Sequence, residues 1–117
     1  MNALRAGCAA LAIAAACAIV PATAGVPSLP DCLEGSDFIA NAARARDNGM
    51  PRDRFLTRMQ DDFEVIRAFP PSLRWFAKDR DDERFLLEAA ARVFDRPKAP
   101  ATHHAEFLAL CLERVAA

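Results

Sequence analysis

The chain has no tyrosine, two histidines and only four glycines among its 117 residues. Glycine is too sparse for a phosphate-cradling loop, and neither Gly-x-Ser-x-Gly nor His-Glu-x-x-His occurs. The usual signatures of phosphate binding, serine hydrolysis and zinc proteolysis are therefore missing. Valine and isoleucine are few, and no stretch alternates β-branched with polar residues, so there is no sheet signal. Cys-x-x-Cys is absent as well. The longest apolar run, residues 6–20, is Ala-rich and shorter than the roughly twenty residues a membrane-spanning helix needs. Charge of one sign is also lacking, with 15 basic against 16 acidic residues, which disfavours nonspecific attraction to nucleic acid or anionic lipid.

What is present begins with an address. Residues 1–24 comprise a start with one charge, Arg5, then the apolar run, then a tail ending Ala22-Thr23-Ala24. That is the layout of a secretory signal peptide, with cleavage expected before Gly25. Cys8 and Cys17 would leave with it. A competing reading makes Cys17, preceded by three alanines, the lipid-modified cysteine of an anchored lipoprotein. Cleavage after residue 24 of 117 leaves 93 residues, of which 14 are basic and 16 acidic. That length suits one domain, expected over residues 31–117 behind a short linker at 25–30.

Cys32 and Cys111 then remain, an even number in a chain expected in the periplasm or outside the cell, where disulfides persist. Their pairing would close a loop of 79 residues, for which the chain-entropy model gives about 4 to 5 kcal/mol. A redox-active or metal-binding pair is the alternative. A domain this small buries only about 60 to 70 % of its unfolded surface, so a covalent staple matters.

Between the cysteines the pattern is helical. A first helix is expected from about Asp31 to Gly49, weakened early by Gly35 and Ser36, with Asp37 as a competing start. A second should begin at Met50-Pro51 and carry Leu56, Met59, Phe63 and Ile66 on one stripe, widened by Phe55 and Phe69. Pro70 and Pro71 stop it. Ser72 is expected to cap a short third segment, LRWFAKD, and Asp81 or Asp82 to cap a helix over 83–94 with Leu86, Ala90 and Val93 inward. Pro97 and Pro100 end that helix, and Thr102 is expected to cap a last one carrying Leu108, Cys111, Leu112 and Val115. The fold class is therefore all-α, a compact bundle of about four short helices with the first and last joined by one disulfide.

Candidate chemistry is thin. His103 and His104 are adjacent, so on a helix they diverge by about 100 degrees and do not form a ligand pair. With Glu106 they give no metal-site spacing, and solvated histidines in a first helical turn are the expectation. His104, Phe107 and Cys111 lie near one face, but a disulfide removes Cys111 as a nucleophile. KDRDDER, at 78–84, lacks the ligand spacing and turn glycine of a calcium loop and reads as an exposed turn and helix start. No catalytic residue, cofactor or metal is assigned.

The segment AARARDNGMP, at 42–51, sets Arg44, Arg46 and Asp47 against a helix stop. An early cysteine, an Ala-rich helix, Arg-Asp-x-Gly before a second helix and a cysteine in the last helix resemble small exported proteobacterial proteins of no assigned function. That resemblance implies a compact helical fold and a periplasmic location. A looser resemblance, to HdeA-like periplasmic acid-stress chaperones, rests on export, small size, all-helical character and one disulfide, although here the cysteines lie near the two ends of the domain and Arg far outnumbers Lys.

The functional expectation is a noncatalytic module that binds a periplasmic protein, with Arg44, Arg46, Asp47, Trp75 and Phe76 as contact candidates, set against a structural reading in which Arg46 and Asp47 bridge to a neighbouring helix and Trp75 anchors the core. An acid-activated chaperone and a small enzyme or metal protein are the alternatives. Oligomeric state and partner identity are not legible.

Overall fold

Ser28 starts the first helix. Its hydroxyl accepts the N–H of Asp31 at 3.2 Å while the Asp31 carboxylate accepts the N–H of Ser28 at 3.0 Å, so two orphan donors are satisfied reciprocally. The computed structural model describes residues 27–116. The expected signal peptide, Cys8 and Cys17 lie outside them. Helix α1 spans Leu29–Asp47, two residues earlier than expected, which draws Leu29 and Pro30 out of the expected linker. Neither Gly35 nor Asp37 interrupts it. Gly49 follows with φ +96°, the left-handed conformation that ends the helix without a Cβ penalty.

Helix α2 spans Arg52–Ile66, with Met59 and Phe63 buried and Phe55, Leu56 and Ile66 packed against the core. The short third segment expected over LRWFAKD, residues 73–79, is irregular chain beyond Leu73, and the one turn of 3-10 helix here, Pro71–Leu73, reaches only its first residue. Ser72 caps nothing. Trp75, at φ +55°, leaves the right-handed helical region, so no helix runs through the segment. Helix α3 spans Arg80–Asp95 and is capped by Asp79, whose side chain accepts the Asp82 N–H at 2.8 Å. The cap is thus neither Asp81 nor Asp82. Helix α4 spans Pro100–Ala116. It opens on Pro100, where a missing N–H costs nothing, and Thr102 sits inside the helix.

All four helices form one bundle, and no strand occurs among the described residues. Helix α1 packs against α4 and α3, and α2 packs on α3. Cys32 and Cys111, both fully buried, form the disulfide that ties the start of α1 to the end of α4, with Cα atoms 5.6 Å apart. Gly35 sits where α1 meets the rings of α4 and the loop. A Cβ there would fall 2.6 Å from Phe107 Cε1 and 3.2 Å from Phe76 Cδ2, so the glycine expected to weaken the helix is what permits close approach. A chain of aromatic contacts runs through the middle, from Phe94 to Phe55, Phe38, Trp75 and Phe76, then to Phe85 and Phe107.

The charged run 78–84 is not simply an exposed turn. Asp82 and Glu83 are buried and face cations from other elements. Arg114 of α4 donates to Asp82 Oδ1 at 3.1 Å, and Arg67 after α2 makes a two-pronged contact with Glu83. Lys78 bridges to Asp31 of α1 at 3.0 Å. Burial first, and neighbouring Asp79 second, push the Asp82 carboxyl above its ordinary value against the pull of Arg114.

Candidate functional site

The link between α2 and α3 carries an apolar outcrop. Residues 68–73, which include Phe69, Pro70, Pro71 and Leu73, are all exposed. Val65, Phe69 and Leu73 are 64 %, 50 % and 68 % exposed. Phe69, expected to widen the buried stripe of α2, is displaced from it because the helix ends at Ile66. The Phe69 N–H turns back to the Ile66 carbonyl at 3.0 Å, and the two prolines that follow cannot extend the ladder.

The outcrop is held stiffly. The Arg74 guanidinium donates to the carbonyls of Phe69 at 2.6 Å, Arg67 at 3.1 Å and Lys78 at 3.2 Å, so one side chain ties both ends of the link. Arg67 is itself fixed by Glu83 of α3. Trp75, the next residue, has φ +55°, a left-handed conformation that is an outlier for a bulky side chain and costs of order 1–3 kcal/mol. Packing and Lys78 hold it there. Its ring lies 5.5 Å from that of Phe38, and its carbonyl accepts Lys78 Nζ at 2.9 Å.

The contact candidates read from the sequence fall in different places. Phe76 is buried in the core, and Trp75 is half-buried above it. Arg46 points inward, donating to the Val93 carbonyl at 2.8 Å and the Lys98 carbonyl at 2.7 Å, with Asp47 bound to its outer edge. It thereby joins the end of α1 to the α3–α4 loop. Arg44 is exposed and donates to Asn41. The structure does not bring the pair Trp75–Phe76 and the segment 44–47 together into one site. Val65 and Leu73 were missed by the sequence reading. The signal for Leu73 was the Pro-Pro stop, which ends the helical register before it, whereas Val65 stays in α2 on its outward face.

His103 is buried rather than solvated. Its Nε2 accepts the Lys98 N–H at 3.0 Å, which fixes that nitrogen as unprotonated. Burial first, then the Arg46 guanidinium, holds its pKa below the ordinary imidazole value. His104 is half-buried and contacts Asp37 at 3.0 Å. Among the described residues no three His, Cys, Asp or Glu side chains gather as a metal-binding group, and no helix is long and apolar enough to cross a membrane. No family model, curated protein or solved structure matches the chain.

Proposed function

We propose that the chain is an exported, noncatalytic helical module that binds a protein partner, and that the outcrop at 65–73 is the contact surface. One observation carries this reading: large apolar side chains stand in solvent on a backbone pre-fixed by Arg74 and two prolines. Exposed apolar groups on a mobile loop would lose entropy on binding, whereas a pre-ordered turn has little left to lose. The strained Trp75 beside it fits the same reading, because strain persists where a shape is needed. Export is supported by the signal-like layout of residues 1–24 and by a buried disulfide, which suits a periplasmic or extracellular setting.

The test compares the parent protein with Phe69→Asp/Leu73→Asp, each immobilised and exposed to the same periplasmic extract. The reading expects a protein retained by the parent and lost from the variant, with unfolding midpoints that agree closely. Identical retention by both would sink it.

The second reading is an acid-activated chaperone of the HdeA-like kind. The observation favouring it is that Asp31, paired across two elements with Lys78, keeps its carboxyl below the ordinary range despite burial. Its protonation on acidification therefore costs the folded state stability. Dye binding and client protection that rise together below about pH 4 would support this reading, and a domain that stays packed and inert would exclude it.

A further inference from the structure

A cleft of about 380 Å³ opens between α3 and α4, with Ile39 of α1 among its lining residues. Its apolar lining includes Ala89, Phe107 and Leu110, and two guanidiniums line its α3 side, Arg92 from the last turn of the helix and Arg96 from the residue just after it. Among the described residues neither guanidinium has a carboxylate within ion-pair distance. The one acidic side chain in the lining, Glu106, is already held by Lys98 Nζ. The cleft therefore offers two guanidiniums that are in no ion pair, beside a partly apolar wall.

We infer that this cleft binds a small amphipathic anion, a carboxylate or phosphate head on a short acyl chain, with the head on Arg92 and Arg96 and the chain along exposed Leu110 and Ala109, over the buried edges of Ile39 and Phe107. Size, charge and lining agree on that class. The volume falls within the range of about 300–1,000 Å³ typical of small-molecule sites, which are mostly apolar with a few placed polar groups. Guanidinium forks match carboxylate and phosphate oxygens in pairs. A cationic amphiphile would meet repulsion, and a neutral one would leave the guanidiniums unused. The inference is independent of the protein-partner reading, since cleft and outcrop share no residue.

The experiment is calorimetric titration of the oxidised protein at pH 7 with decanoate, decyl phosphate and decanol, all below their aggregation concentrations. At least one anion should bind one to one, with decanol at least tenfold weaker, and the preferred anion distinguishes a fatty-acid source from a phospholipid-like one. Arg92→Glu/Arg96→Glu should weaken the anion at least tenfold without moving the unfolding midpoint, because both side chains are exposed. Ala109→Trp, an exposed position on the cleft lining, should block binding sterically while leaving both charges in place. Absence of binding by both anions, equal binding of decanol, or undiminished binding by either variant would overturn the inference.

Discussion

Arg46 Nη1 lies 3.4 Å from Nε2 of buried His103, so a cation from the end of α1 meets a ring that must stay neutral to keep its bond from Lys98. The neighbours on each packed element are Arg46 from α1, Arg92 from α3, Lys98 from the loop and Glu106 from α4, and only Glu106 favours the charged ring. The folded pKa is therefore lowered. Above the ordinary value of 6.5 both states hold the ring neutral. As pH falls through 6.5 the unfolded chain takes up a proton that the folded protein refuses, so stability falls until the folded pKa is reached. The unfolding midpoint should begin to drop as the pH falls through the ordinary imidazole value of about 6.5. His103→Gln, which keeps an acceptor and cannot titrate, should flatten that slope. A slope unchanged by the variant would place the acid sensitivity elsewhere.

Asp31 adds a lower window. Burial pushes its carboxyl up, but the Ser28 N–H and hydroxyl together with Lys78 outweigh it, and the pKa lies below 3.8. Its contribution is present above that value and lost as pH falls through the folded pKa. Lys78→Met should remove part of the stability measured at pH 5 and narrow its deficit to the parent at pH 2, as followed by urea denaturation.

Removing Arg114 strands a charge. Asp82 is 1 % exposed, and the Arg114 guanidinium also lies 4.4 Å above the centre of the Phe85 ring. Arg114→Ala should cost about 2 to 4 kcal/mol at pH 7, in the range for breaking a buried pair. Asp82 already binds its proton more tightly than an unfolded aspartate. The deficit should therefore shrink as the pH falls and the carboxyl goes neutral. A deficit constant with pH would mean that lost packing on Phe85, not the stranded charge, is the cause.

Gly35→Ala opposes two effects. A helical Gly→Ala change gains about 0.5 to 1 kcal/mol, whereas the new methyl would meet Phe107 at 2.6 Å and overpacking typically costs about 1 to 3 kcal/mol. Net destabilisation is the expected outcome of chemical denaturation. A stabilised variant would show that the Phe107 ring yields.

Cys32→Ser should lower stability by about 2 to 4 kcal/mol, hence the unfolding midpoint by roughly 10 °C or more. Reduction of the parent protein should reproduce that loss, since the buried bridge links elements at opposite ends of the chain. An unchanged midpoint would show that the helical core holds α1 and α4 without it.

Much of the fold was readable because its signals are local. Gly49 and the Pro70-Pro71 pair end helices through backbone constraints that need no tertiary partner, and Cys32 with Cys111 left one pairing. The misreadings have other causes. Asp82 and His103 carry polar side chains at positions that look solvent-facing; Asp82 is buried because Arg114 arrives from 32 residues away, whereas the amide that satisfies His103 comes from Lys98, five residues before it. Arg46 was weighed as a surface contact or a bridge, and the carbonyls that receive it lie 47 and 52 residues away. The outcrop was hidden for the opposite reason. Phe69 continues the spacing of α2 on paper, but the helix ends three residues before it.

A protein partner bound at the outcrop 65–73 should be caught there by site-specific photo-crosslinking in living cells, with the reactive side chain placed at Leu73 and, for comparison, at exposed Glu88 on α3. One dominant protein adduct is expected from position 73 and none of it from position 88. No adduct at position 73, or the same adducts at both positions, would rule out the outcrop as the binding surface.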